Sequence, residues 1–417
     1  MLLEFSIKNF LSFKEKVTFS MIGSSDDTMK DNFVIKNNNK ILNVSAIYGA
    51  NASGKSNLFK ALGIICDKIR QSNYYTPNMS LAITPFKLDN QTINEPSEFE
   101  IRFIENEIRY IYGFTVDSEK IYSEYLTYYP KGRPVKIFDR KNINEYTFNA
   151  SDEKFLKDIK DKNTQNKFFI ATATSWNFDK TKIPFDFITE KLWVVMSLDY
   201  LKNYSYDLYS KDNDKSLEKF ALKFLKKADF NIKDYVVKKE ANVSDEFINL
   251  FKNSDSLIFP SPFIYNVRTT HSVSGGNFEF DISEESMGTQ VIFSLIPIFK
   301  NTLDNGKILI IDEFDRSLHP YLIKYIVELF NDPIINKNNA QLIFNTHDTN
   351  LLNLELLRRD QIWFTEKDSN NGESILYPLD DFSIRKSENV EKGYLLGRYG
   401  AVPFIESDFS DLRGNNE

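Results

Sequence analysis

Three features of the chain predict an α/β fold with a mostly parallel core sheet, an antiparallel β lobe and an inserted helical region. A continuous apolar run, ILNVSAIY at 41–48, leads at once into the glycine loop GANASGKSN and then into helical periodicity. Two more apolar runs, within KILIIDEF and QLIFNTHD, alternate with helical stretches, an order that implies parallel strand pairing. From about 85 to 138, short segments of alternating apolar and polar residues are broken by polar turns, the pattern of an antiparallel meander.

In chain order, residues 2–20 read as two strands with period-2 alternation, LLEFSIKNF and KVTFS. The run at 41–48 is apolar on both faces, as a buried parallel strand requires. From Asn57 to Arg70, Leu58, Leu62, Ile65 and Ile69 fall on one helical face. Residues 150–260 look mainly helical and carry no chemical motif, so they read as an insertion. A strand at 263–267, a hairpin turn at Gly275-Gly276 and the strand NFEFDI follow. Next come a helix from Met287, the strand KILIIDEF, a helix after Pro320, the strand QLIFNTHD and a short amphipathic helix, NLLNLELLRR. The expected division is an N-terminal lobe at 1–139, a mainly helical insertion at 140–262, a C-terminal lobe at 263–405 and a tail at 406–417.

The 417 residues are 41% hydrophobic and 27% charged, enough for a sizeable core. A net charge of −7 weighs against free duplex DNA as the main partner, because nonspecific affinity comes from neutralised phosphates. The single cysteine, Cys66, has no internal partner, which suits a reducing cytosol, and its place on a helix reads as a small buried apolar residue. Neither an apolar leader region nor a membrane-spanning run is visible, so a cytoplasmic protein without membrane contact is expected.

Four segments carry chemistry. Gly49-Ala50-Asn51-Ala52-Ser53-Gly54-Lys55-Ser56-Asn57 matches G-x-x-x-x-G-K-[ST] between a strand and a helix, the context this phosphate-binding loop needs. Its backbone N–H groups would cradle the phosphates of ATP, Lys55 would reach the β- and γ-phosphates, and the Ser56 hydroxyl would ligate Mg²⁺. The strand Ile308–Ile311 delivers Asp312 and Glu313 to its C-terminal edge, where ligands bind in open α/β sheets. Asp312 is placed for the metal and Glu313 for the attacking water, as general base. His347 ends the next apolar strand, 34 positions after Glu313, and would reach the same edge and the γ-phosphate. Finally, Glu284-Glu285-Ser286-Met287-Gly288-Thr289-Gln290 sits at a strand-to-helix junction, where a serine cap and an early glycine expose N–H groups to an anion.

Taken together, GANASGKSN, ESMGTQ, ILIIDEFDRSLHP and NTHD resemble the ABC-type ATPases of the SMC, Rad50 and OLD group. The opening IKNFLSF, PFKLDN, YIYGFTVDSEKIYSEYL and the ending YLLGRYGAVP look most like AAA15-like ATPases of abortive-infection and anti-phage systems. The ending in particular is similar to ATPase subunits that accompany RloB-like or Toprim nucleases, including that of PARIS defence. The resemblance implies a site completed in trans, with ATP at Gly49–Asn57 of one subunit meeting Ser286, Gly288 and Thr289 of another. A head-to-tail homodimer, or a larger homo-oligomer, with ATP and Mg²⁺ is therefore expected. Two departures stand out: His319 occupies a position where transporters usually carry Asp, and Gln91 is only a weak candidate for the Q-loop.

No long heptad run supports a coiled-coil arm. No D-x-D pair follows His347, so any nuclease activity is expected in another protein. Two functions follow. One is the sensor and scaffold ATPase of an anti-phage system, controlling a separate effector, with a phage component as trigger. The other is a RecF- or SMC-like DNA-repair ATPase, whose best support is the basic stretch at 222–240; such a charge run usually forms a solvated helix face.

Overall fold

The computed structural model describes residues 1–198, 201–241, 263–385 and 388–403. Its strands, in chain order, begin with β1 (Leu2–Lys8), β2 (Val17–Ser20), β3 (Phe33–Lys36), β4 (Asn39–Leu42) and β5 (Val44–Gly49), followed by helix α1 (Lys55–Gln71). The meander is β6 (Ser97–Glu105), β7 (Ile108–Val116), β8 (Ile121–Tyr129), β9 (Val135–Lys141) and β10 (Glu145–Phe148). Helices α2 (Glu153–Lys160), α3 (Phe169–Ser175) and α4 (Asp179–Asp186) lead to β11 (Leu192–Val195), then α5 (Leu201–Ser210) and α6 (Ser216–Lys227). The remainder is β12 (Ile232–Ala241), β13 (Phe263–Val273), β14 (Gly276–Asp281), α7 (Met287–Asn305), β15 (Ile308–Ile311), α8 (Pro320–Asn331), β16 (Gln341–Asn345), β17 (Ile362–Lys367), β18 (Ser374–Pro378) and α9 (Val390–Leu395).

The core sheet has the order β11-β15-β16-β5-β17-β18. Every neighbouring pair is parallel except β17 with the edge strand β18. Its apolar runs are continuous because both faces are covered. Ile47, Ile308, Ile310 and Ile343 pack in the cluster that holds α1, whereas Tyr48, Leu309, Ile311, Leu342 and Phe344 pack in the one that holds α7 and α8. The α1 cluster also takes in Phe5, Phe99, Phe103 and Leu126 of the seven-stranded antiparallel sheet β10-β9-β8-β7-β6-β1-β2. Helix α1 is thus the filling between two sheets, and its apolar stripe of Leu58, Leu62, Ile65 and Ile69 is buried. Cys66 is buried there too.

Several boundaries differ from expectation. The run at 41–48 is two strands broken at Asn43, whose side chain turns aside to bond the Asp31 carbonyl. Helix α1 starts at Lys55, so the lysine and serine of the loop belong to its first turn. NLLNLELLRR is not an α-helix: short 3₁₀ turns at Thr349–Leu351 and Arg359–Gln361 flank an irregular path. Asn353 causes this, because its carbonyl takes the N–H groups of both Leu356 and Leu357 and its side chain takes that of Glu355. The region at 140–262 is helical over much of its described length, yet its strand β11 pairs with β15 as part of the core sheet.

Helix α6 buries Leu217, Ala221, Phe224 and Leu225 and turns Lys223, Lys226 and Lys227 to solvent. Lys239, in the same basic stretch, is paired with Asp207. Among the described residues, no helix is long and apolar enough to cross a membrane. The expected tail at 406–417 lies outside the described residues.

Candidate nucleotide-binding site

At the C-terminal edge of the core sheet, β5 ends in Gly49 and the chain turns through Asn51 and Ala52 into α1. Ala52 and Gly54 both adopt left-handed backbone, with φ of 61° and 115°. At Gly54 only a glycine fits, since a Cβ would lie 2.6 Å from the Ser374 hydroxyl of β18. Ser53 is buried and shares a 2.6 Å hydrogen bond with the Thr365 hydroxyl of β17. Asn57 donates its side-chain amide to the Ser12 hydroxyl at 2.9 Å, and Ser374 N–H donates to the Ser12 carbonyl. The Asn57 side chain thus braces the loop between β1 and β2.

Lys55 folds back on its own loop. Its ammonium donates to the Gly49 and Ala50 carbonyls at 2.7 and 3.0 Å. Burial lowers its pKa to about 8, against the opposing pull of Asp312, Asp315 and Glu313. A phosphate chain would offer this cation a stronger partner than two carbonyl dipoles.

Ser56 donates its hydroxyl to Asp312 Oδ1 at 2.9 Å, joining the loop to the end of β15. The same oxygen accepts the side-chain amide of Asn345, and the Asp312 N–H is held by the Val195 carbonyl of β11. Hydroxyl and carboxylate are the hard oxygen donors Mg²⁺ takes, and Mg²⁺ usually completes its shell with water and substrate phosphates. Among the described residues no group of three or more His, Cys, Asp and Glu could hold a metal. The pair Ser56 and Asp312 supplies two such oxygen donors and fits a cation whose remaining ligands are water and substrate phosphates.

Glu313 follows at φ 51°, its carboxylate exposed, with its N–H donated to Asn345 Oδ1 at 2.6 Å. Strands β15 and β16 are direct neighbours, so His347, two residues beyond β16, stands on the same edge. Its N–H donates to Asp315 Oδ2 at 3.2 Å. Partial desolvation and the nearby Lys55 ammonium hold the imidazole below its ordinary 6.5, against the opposing pull of Asp315, Glu313 and Asp312.

The segment at 284–290 is organised as its sequence implies. Ser286 caps α7, its hydroxyl accepting the Thr289 N–H at 3.2 Å and sharing a 2.8 Å bond with the Thr289 hydroxyl. A Cβ on Gly288 would lie 2.8 Å from the Ser317 carbonyl, so the glycine seats this segment on the loop after Glu313. Glu285 accepts from Thr269 at 2.5 Å and pairs with His271 at 2.7 Å, fixing the segment to β13.

His319 caps α8, its Nδ1 accepting the Tyr321 N–H at 3.2 Å, which accounts for it without a ligand. Gln91 is an exposed turn residue whose N–H is bonded to Asp89. Sequence reasoning passed over Asn345, Thr365, Ser12 and Ser374. The one available signal was a polar Asn at the end of an apolar strand, within the quoted NTHD.

No curated protein sequence matches the chain. Solved structures similar to it include an Smc head bound to the C-winged helix domain of ScpA, at TM-score 0.43 and 14% identity, covering 90% of this chain and 97% of that one. The SMC head domain from Thermotoga maritima follows at TM-score 0.41 and 16% identity, covering 90% and 98%. An Smc head with an extended coiled coil, bound to the C-terminal domain of ScpA derived from Pyrococcus furiosus, gives 0.40 and 12%, covering 95% and 98%. These are loose likenesses. A family match spans residues 44–353, from the start of β5 to beyond His347. By that match the chain belongs to the P-loop family described as AAA domain, putative AbiEii toxin, Type IV TA system.

Proposed function

We propose that this chain is an ABC-type ATPase that binds and slowly hydrolyses ATP as the regulatory sensor and scaffold of a prokaryotic anti-phage system. The observation that carries the ATPase reading is the 2.9 Å bond from Ser56 to Asp312, with Glu313 and His347 on the same sheet edge. On nucleotide binding, Lys55 leaves the Gly49 and Ala50 carbonyls and pairs with the phosphates. Ser56 and Asp312 would hold Mg²⁺, which supplies neutralisation of phosphate charge. Glu313 accepts the proton of the attacking water, and neutral His347 donates a hydrogen bond to the terminal phosphate.

Ser286 and Thr289 form a capped helix start in which the cap takes the Thr289 N–H, and Gly288 seats it on the loop that follows Glu313, with the helix N-terminus and the two hydroxyls facing a prospective anion. In the proposed assembly they close over the ATP of a second copy, giving a head-to-tail dimer with two composite sites. The family description supports an abortive-infection setting. In this reading a separate effector, a Toprim-type nuclease, is restrained by the assembly and released by a phage component.

The test is the mass of the Glu313→Gln variant in solution with and without ATP. A shift from one chain to two or more on adding ATP is expected. A single chain at all ATP concentrations would remove the composite-site assembly.

A further inference from the structure

We propose that Asn345 is a positioning residue that sets both the metal-binding carboxylate and the general base; this rests on the ATPase reading above. Asn345 is only 1% exposed, at the end of the otherwise apolar Leu342-Ile343-Phe344 of β16. A buried amide is costly unless its groups are paired. Here all of them are, and every partner lies in the segment that leaves β15.

Asn345 Nδ2 donates to Asp312 Oδ1. Its Oδ1 accepts the Glu313 N–H at 2.6 Å, and its backbone carbonyl accepts the Phe314 N–H at 3.1 Å. Three successive residues, 312 to 314, are thus gripped by one asparagine. The amide can point only one way, because an ionised carboxylate only accepts and a backbone N–H only donates.

Each contact has a chemical consequence. Asp312 Oδ1 is held from two sides, by Ser56 and by Asn345, so its carboxylate keeps one orientation. Glu313 sits in left-handed backbone, a conformation that carries a cost for a non-glycine residue. The Asn345 bond offsets that cost and fixes the direction in which the Glu313 side chain leaves the sheet. Leucine has a similar size but neither group. Outer partners of this kind influence metal affinity and rate far more than their distance from the reaction suggests.

The experiment compares wild type with Asn345→Leu and, as a second variant of smaller volume, Asn345→Ser. It measures ATPase rate against Mg²⁺ concentration, together with binding of a fluorescent ATP analogue in EDTA. In both variants the Mg²⁺ half-saturation should rise, and kcat should fall, by about 10–100-fold, with metal-free nucleotide binding changed less than about twofold. A merely structural role would lower the melting temperature and the active fraction but leave the Mg²⁺ half-saturation in place. A folded variant with wild-type Mg²⁺ half-saturation and kcat would overturn the proposal. Wild-type protein that neither binds nor hydrolyses ATP would instead overturn the ATPase reading.

Discussion

Ser56 and Asp312 lie 256 positions apart in the chain and are joined by a 2.9 Å hydrogen bond. One opens helix α1 beneath the glycine loop, and the other leaves the end of β15. Only the parallel order β15-β16-β5 makes them neighbours, so this bond reports the assembly of the whole sheet edge.

The first expectation concerns that pair. Asp312→Asn keeps the shape of the side chain and removes its charge. ATP should then bind in EDTA about as in wild type, whereas the tightening and hydrolysis that Mg²⁺ brings should be largely lost. Calorimetric titration of ATP with and without Mg²⁺ distinguishes these, and full Mg²⁺ dependence in the variant would show that the metal lies elsewhere.

A second expectation comes from β17. Thr365→Val preserves volume and removes the hydroxyl bonded to Ser53. Loss of one such bond is worth about 1 kcal/mol, so ATP affinity should weaken roughly fivefold without loss of fold. Unchanged affinity would mean that the bond does not hold the loop in its binding conformation.

A third concerns the seat of Gly288. Because a Cβ there would approach the Ser317 carbonyl to 2.8 Å, Gly288→Ala must displace backbone. ATP-driven association should be lost while one chain still binds nucleotide. Light scattering reads the first and fluorescent-nucleotide binding the second. Association at the wild-type ATP concentration would separate this segment from the subunit contact.

A fourth is a matter of pH. Burial raises the Cys66 thiol from its ordinary 9.0 to about 12. The unfolded thiol releases its proton at the lower value, so between the two the native state binds more protons and this group's contribution to stability falls as pH rises. At pH 8 the native thiol should resist alkylation and react only on unfolding in denaturant. Rapid alkylation of the native protein would place Cys66 at the surface.

Much of this candidate site was legible in sequence because apolar runs covered on both faces end abruptly in glycine, acidic or polar residues at the sheet edge. Gly49, Asp312 and Glu313 announce themselves in that way, and so does His347. Strand β17 was not legible. Its sequence, IWFTEK, differs little from other short apolar stretches, and Thr365 matters only because β17 pairs with β5. Strand β11 was hidden as four residues, LWVV, among helices, though the Val195 carbonyl holds Asp312. The leucines of NLLNLELLRR suggested a helix by their amphipathic pattern; Leu351, Leu352, Leu356 and Leu357 are indeed all buried, but on an irregular path around Asn353. Asn345 was in view within NTHD, yet its role depends on contacts across strands that no local pattern encodes.

The central claim is that the edge bearing Ser56, Asp312 and Glu313 hydrolyses ATP. The most direct measurement is the steady-state ATPase rate of wild type and of Glu313→Gln, with nucleotide binding recorded for both. The expected result is equal binding and a rate lower by about 10²–10⁴-fold in the variant, the usual worth of a positioned base. Equal rates in the two proteins, or a wild type that binds ATP and releases no phosphate, would contradict the account.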